Sequence, residues 1–191
     1  MGSTSANRGA LATLPNFITL VRIALVPLFA VLGFSSSTAA QLTALGVFWV
    51  ASASDFLDGH LARRKDVVSR AGEFLDPLAD KLLVGAALVV LVMAHGFPLW
   101  AAVVIGIREA GVQLLRSRIV AAGGTLSASK PAKVKTILQI VMTLWWLLPW
   151  GSLNPGHWIL LGAAVGVTVI SGAEYFIAAV QTARAAREPG S

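Results

Sequence analysis

The chain holds five aspartates, and four of them, Asp55, Asp58, Asp76 and Asp80, fall within 26 residues. Asp55 and Asp58 are three positions apart, and Asp76 and Asp80 are four apart. On a helix either spacing puts a pair on one face. Four carboxylates held together repel one another, and a hard divalent cation such as Mg²⁺ or Mn²⁺ relieves that repulsion. Magnesium keeps water and substrate phosphates in its shell, so the cluster points to a phosphate-bearing substrate. Two ions about 3.5–4 Å apart could clamp a phosphoryl group from both sides. The plainer alternative is a set of solvated carboxylates at helix ends, paired with Arg63, Arg64, Lys65 and Lys81.

The residues between the pairs suit a bound ligand. Gly59 removes a side chain beside Asp58 and lets a ligand approach the backbone. Ala62 is small for the same purpose. Arg63, one turn beyond Gly59, can grip a diphosphate with two N–H groups. Gly72 offers bare backbone on which a base or sugar could rest. Taken singly, each glycine also fits ordinary close packing of helices.

These residues need elements that hold them, and the composition says which. The chain has 191 residues, of which 56% are hydrophobic and 13% charged. Its mean hydropathy is +0.76. A soluble domain carries about 25% charged residues, so a water-soluble globular protein is excluded, and so is a disordered chain. The absence of cysteine excludes disulfides, cysteine-ligated zinc, iron–sulfur clusters and thiol nucleophiles.

Six apolar runs stand out: Asn16–Phe34, Leu42–Leu61, Glu73–His95, Pro98–Val120, Val134–Trp150 and Trp158–Val180. Each is near the ~20 residues a helix needs to cross a bilayer, and lipid leaves helices as the only open-ended way to satisfy the backbone. The expected fold is therefore all-α, a polytopic membrane protein with six transmembrane helices. The breaks carry turn chemistry at Gly33 with Ser35–Thr38, His95–Pro98, Gly123–Gly124 and Gly151–Gly156. No internal repeat or second domain is visible. The expected organisation is an N-terminal tail over 1–14, disordered or interfacial and without a cleaved signal, one domain over 15–183, and a C-terminal tail over 184–191.

Lysine and arginine fall on alternate connections. Arg8 precedes the first run. Arg63, Arg64, Lys65 and Arg70 lie between the second and third, and Arg116, Arg118, Lys130, Lys133 and Lys135 flank the fourth connection. Arg184 and Arg187 follow the last run, while residues 35–41, 94–98 and 151–157 hold no Lys or Arg. The positive-inside rule then puts both termini in the cytoplasm. The net charge of +6 is mostly a topology signal and an attraction to anionic head groups, not a nucleic-acid surface. Trp145, Trp146, Trp150 and Trp158 are expected to form an interfacial aromatic belt at the opposite end.

Arg108 sits inside an apolar run, ten residues after Pro98, and needs a partner there. Glu109 is adjacent but lies about 100° round the helix. Arg108, Arg116, Lys133 and Lys135 together suit a small anionic acceptor; the two lysines equally suit a cytoplasmic boundary. Asn16, Thr19 and Arg22 recur at three-residue steps on the first run, where Asn16 also suits a helix cap after Pro15.

The segment Asp55-x-x-Asp58-Gly59-x-x-Ala62-Arg63, eight residues, then Gly72-x-x-x-Asp76-x-x-x-Asp80 resembles the signature of the CDP-alcohol phosphotransferase family at every defined position. The resemblance implies a six-helix integral membrane enzyme of the bacterial inner or plasma membrane, working as a homodimer with its site facing the cytoplasm. It implies that CDP-diacylglycerol binds with its diphosphate at a site of two Mg²⁺ or Mn²⁺ ions. An acceptor hydroxyl attacks the β-phosphorus and CMP leaves. Asp55, Asp58, Asp76 and Asp80 would be the metal ligands, with Asp80 also the general base. Asn16, Thr19, Gly59, Ala62, Arg63, Ser69 and Gly72 would contact the CDP group.

Other segments resemble the branch of that family whose acceptor is glycerol 3-phosphate. They are Pro15-Asn16-x-x-Thr19-x-x-Arg22, Leu75–Lys81, Arg108-Glu109 with Leu115-Arg116, and Lys133-Val134-Lys135-Thr136, where Ala132 stands in place of a usual glycine. By that resemblance Arg108, Arg116, Lys133 and Lys135 would bind the acceptor phosphate. The last run carries no such element. Within the family the alternatives are inositol phosphate or phosphatidylglycerol as acceptor. Outside it they are a divalent-cation transporter, whose site would sit nearer the midplane on broken helices, and a structural membrane protein.

Overall fold

The computed structural model describes residues 14–65, 70–121, 130–150 and 154–185; side chains at 14–16, 55–74, 76, 120, 130–133 and 182–185 lie outside that description. The described residues form six helices: α1 (Leu14–Gly33), α2 (Thr38–Lys65), α3 (Arg70–Ala94), α4 (Leu99–Ala121), α5 (Lys130–Leu147) and α6 (Pro155–Ala185). Among the described residues there is no strand. The six apolar runs are thus six helices, with shifted ends. α2 runs past Leu61 to Lys65, and α6 begins at Pro155 and runs past Val180 into the expected C-terminal tail. Hydropathy marks where a helix meets lipid, whereas backbone hydrogen bonding continues until a cap or breaker stops it.

The stops are local. Gly96 adopts a φ of 66° just beyond α3, the left-handed conformation that ends a helix and that an L side chain resists. Asn154 caps α6: its side-chain oxygen accepts the backbone N–H of Gly156 at 2.9 Å. Pro155, at the first helical position, lacks an N–H that would find no helical partner there anyway.

The helices group into two compact units, α1–α3 with residues 146–150, and α4, α5 as far as Trp145, and α6. In the first unit α1 packs along both α2 and α3. Small residues (Ala44, Ala51, Ala79, Ala87) are fully or almost fully buried there, which allows close approach of helices. Phe29 and Phe48 join α1 to α2 with ring centroids 5.4 Å apart. The His95 ring Nε2 donates to the Gly33 carbonyl at 3.0 Å, and Trp146 Nε1 donates to the His95 carbonyl at 2.8 Å.

In the second unit α4 packs on α6. The buried set there is unusually polar: Lys135, Gln139 and Thr143 at four-residue steps on α5, and Thr168 and Ser171 on α6. Large apolar side chains face outward, including Val169, Ile170, Phe176 and Ile177 on α6 and Ile107 and Leu114 on α4. Polar inside and apolar outside is the arrangement a lipid solvent selects. Pro77–Ala94 and Pro155–Gln181 are by themselves long and apolar enough to cross a bilayer; Phe17–Gly33 and Val134–Leu147 are shorter apolar stretches.

Of the four tryptophans expected in an interfacial belt, two are exposed and two are partly or wholly covered by the protein. Trp150 and Trp158 are exposed, but Trp146 is 4% exposed because its N–H is used inside the first unit. Trp145 is half-buried, and its ring lies 2.9 Å from where a Cβ on Gly156 would stand. One edge of each of these two rings meets backbone.

Candidate functional site

The carboxylate motif lies on two consecutive helices of the first unit. α2 carries Asp55, Asp58, Gly59, Ala62 and Arg63 near its C-terminal end, and α3 carries Gly72, Asp76 and Asp80 in its first half. Both helices are continuous through the motif, so the three- and four-residue spacings act as same-face spacings. Lys65 and Arg70 are five residues apart, which keeps the two ends within about 18 Å. Pro77 sits inside α3 between Asp76 and Asp80 and removes one backbone donor from that turn. Asp80 is exposed. The side chains of Asn16, Asp55, Asp58, Gly59, Ala62, Arg63, Gly72 and Asp76 lie outside the described set, and Ser69 lies outside it entirely. On α1, Thr19 and Arg22 are fully buried.

Four aspartates with no His or Cys among them make a hard-oxygen donor set, the chemistry that fits Mg²⁺ or Mn²⁺. Asp55, Asp58, Asp76 and Asp80 are the residues that could hold such ions. Among the described residues no three or more His, Cys, Asp or Glu come together, three of these four side chains being outside that set.

The second unit holds a basic network. Glu109 Oε1 accepts from Arg108 Nη1 at 3.1 Å and also pairs with Lys135 Nζ. One carboxylate thus joins α4 to α5. Arg108 Nη2 donates to Ser171 Oγ on α6 at 3.0 Å, and the guanidinium carbon lies 5.8 Å from the centre of the Tyr175 ring. Lys135 is 4% exposed, so it is a buried, paired lysine and not one reaching for a membrane boundary. Arg116 is exposed two turns further along α4, and the side chain of Lys133 lies outside the described set.

Arg108 also borders an apolar groove of about 530 Å³ between α4 and α6, lined by Ile107, Leu115, Arg118, Val169 and Phe176 among others.

The pairing of Arg108 with Glu109 corrects the expectation from helix geometry. Their Cβ directions diverge by about 100°, but both side chains are long. Lys135 and Ser171, on two other helices, draw them to one point. Ser171 and Tyr175 carried no sequence expectation. The available signal was the recurrence of Thr168, Ser171 and Tyr175 at three- and four-residue steps within a largely apolar run, a polar stripe on one helix face.

The profile of the CDP-alcohol phosphatidyltransferase family matches residues 12–170, and the chain belongs to that family of membrane-bound, divalent-metal-dependent enzymes. Its relatives include a probable phosphatidylglycerophosphate synthase of Mycobacterium tuberculosis (strain ATCC 25618 / H37Rv), 36% identical over 97% of this chain and 90% of the relative. The chain is also similar to a CDP-diacylglycerol–glycerol-3-phosphate 3-phosphatidyltransferase of Bacillus subtilis (strain 168), 40% identical over 85% of this chain and 93% of the relative. An enzyme of the same name from Pseudomonas fluorescens is 39% identical over 87% of this chain and 89% of the relative.

Proposed function

We propose that the protein transfers a phosphatidyl group from CDP-diacylglycerol to sn-glycerol 3-phosphate, giving phosphatidylglycerophosphate and CMP. The observation that carries this reading is near-full-length similarity, at 36–40% identity, to bacterial proteins bearing that activity in their names. The intact aspartate motif on two continuous helices supports it.

Asp55, Asp58, Asp76 and Asp80 would hold two divalent cations, Mg²⁺ or Mn²⁺. Bound there, the cations would offset the charge that develops on the phosphoryl oxygens and on departing CMP. Asp80 accepts the proton of the acceptor hydroxyl as that oxygen attacks the β-phosphorus. Gly59, Ala62, Arg63 and Gly72 receive the CDP group, with Asn16, Thr19 and Ser69 beside it. Arg108 and Lys135, with Arg116 and Lys133, bind the phosphate of the acceptor.

All six helices span the membrane on this reading, with both termini and the C-terminal end of α2 on the cytoplasmic side, as the basic residues on alternate connections suggest. The enzyme works as a homodimer in the same reading.

The test is CMP release by purified protein in vesicles with CDP-diacylglycerol and Mg²⁺. Glycerol 3-phosphate, inositol phosphate and phosphatidylglycerol are offered separately, with chelated samples and Asp80→Asn alongside. Release with glycerol 3-phosphate alone, lost in both controls, is the expected result. Release with another acceptor would keep the carboxylate chemistry and overturn the role given to the basic residues.

A further inference from the structure

The last helix carries no recognised motif, yet it meets Arg108 three times within five residues. Ser171 Oγ accepts from Arg108 Nη2 at 3.0 Å. The same hydroxyl donates its only proton to the Thr168 carbonyl at 3.1 Å, so only its lone pairs are left to face the guanidinium. Gly172 makes room for the stem: a Cβ there would stand 3.2 Å from Arg108 Cγ, closer than a carbon neighbour normally tolerates. Tyr175, the only tyrosine in the chain, sets its ring 5.8 Å from the guanidinium carbon, within cation–π range.

Head, stem and face of one arginine are therefore each met by a different residue of α6. Glu109 takes the remaining anchored nitrogen, Nη1, and holds Lys135 with the same oxygen. Arg108 Nε stays buried without a hydrogen-bond partner. Arg108 also lines the groove between α4 and α6 with both Nη atoms tied down, so its charge is held in a fixed place at the groove's edge.

We propose that Ser171, Gly172 and Tyr175 form a cradle on α6 that positions Arg108 for the anionic group of the acceptor. They are positioning residues: they act through Arg108 and do not touch substrate. The proposal rests on the reading of Arg108 as an acceptor ligand, and the experiment separates the two.

Initial rates are measured in vesicles for the wild type, Ser171→Ala, Ser171→Thr, Arg108→Gln and the double variant Arg108→Gln/Ser171→Ala. Glycerol 3-phosphate and CDP-diacylglycerol are titrated independently. Ser171→Ala should raise KM for glycerol 3-phosphate roughly tenfold, the size of one hydrogen bond to a charged group. KM for CDP-diacylglycerol and kcat should stay within about twofold. Ser171→Thr, which keeps the hydroxyl, should restore most of the loss. In the Arg108→Gln background the Ser171→Ala effect should vanish, because nothing is left to position.

If Arg108→Gln raises the acceptor KM while Ser171→Ala does not, the cradle is wrong and the ligand reading stands. The cradle is equally overturned if Ser171→Ala has the same effect with and without Arg108. If Arg108→Gln leaves that KM unchanged, the ligand reading fails and the cradle with it. Should Ser171→Ala not fold, Tyr175→Leu against Tyr175→Phe gives the same decision. Loss of the ring must raise the acceptor KM and the phenyl ring must recover it; equal values in the two variants would overturn the cradle.

Discussion

The carboxylate end of α2 and α3 and the basic network of α4, α5 and α6 are built on opposite plans. In the first, all four carboxylates lie on two consecutive helices, and each pair is set by a three- or four-residue step. In the second, Arg108 and Glu109 are neighbours in sequence, but Lys135 comes from 26 residues further and Ser171 from 63 residues beyond Arg108. Metal-type ligands can be collected on helix faces because identical carboxylates need only a common direction. A buried cation instead needs a counter-charge and a full set of acceptors, and one helix rarely carries all of them. The difference teaches where a motif can be read locally and where it must be assembled.

The two plans should also fail differently. The largest effect is expected from Asp80→Asn. Removing the proposed general base should lower kcat about 10²–10⁴-fold. Asn keeps the size and shape of the side chain, so the fold should survive the change, and the unfolding temperature checks that it does. CMP release set against thermal unfolding in detergent measures both; residual activity within tenfold of wild type would take the base role away from Asp80.

Next comes Lys135→Met. A charge reversal would be a poor probe here, since it would put two carboxylates together at Glu109. The neutral change keeps the stem and removes the charge. KM for glycerol 3-phosphate should rise about 10–100-fold while KM for CDP-diacylglycerol stays put. A fall in kcat with both KM values unchanged would erase the proposed division of labour between the two regions.

Glu109→Gln should act on both stability and binding. It removes the charge shared by Arg108 and Lys135. Glu109 is partly exposed, so the cost should be about 1–3 kcal/mol, below that of a fully buried ion pair. Denaturant titration would read it, and acceptor KM should rise alongside. No change in stability would mean that the two cations do not depend on this carboxylate.

The smallest functional effect belongs to a packing position that carries no part of either site. In Gly33→Ala the new methyl would stand 2.6 Å from Val90 Cγ1. Such overpacking costs about 1–3 kcal/mol, and the double change Gly33→Ala/Val90→Ala should recover it. Substrate KM values should be unaffected; a shift in either would show that packing between α1 and α3 is coupled to the site.

Much of the fold was legible because lipid imposes a coarse rule. Six apolar runs became six helices, and the glycine and proline breaks marked their limits within a few residues. The helix ends were less legible. α2 continues to Lys65 through the charged part of the motif, where hydropathy falls but the backbone remains helical. The sequence pattern points Trp146 to an interface, whereas in the fold it is buried with its indole N–H on the His95 carbonyl. A side chain with one apolar body and one donor suits either place, and only its partner decides. Lys135 was open between boundary and interior for the same kind of reason, and its pairing with Glu109 decided it.

By itself the sequence determined that the chain is helical, that lipid is its solvent, and that four aspartates recur at helical spacings beside small residues. Composition and periodicity suffice there, since each depends on residues within one or two turns. Only the tertiary structure decided what an arginine within an apolar helix does. Arg108 is held by an adjacent glutamate that helix geometry pointed elsewhere and by a serine and a tyrosine from a helix without a motif. The physical reason is desolvation. A charge removed from water must find its acceptors wherever the fold brings them, and those acceptors share no spacing with it along the chain.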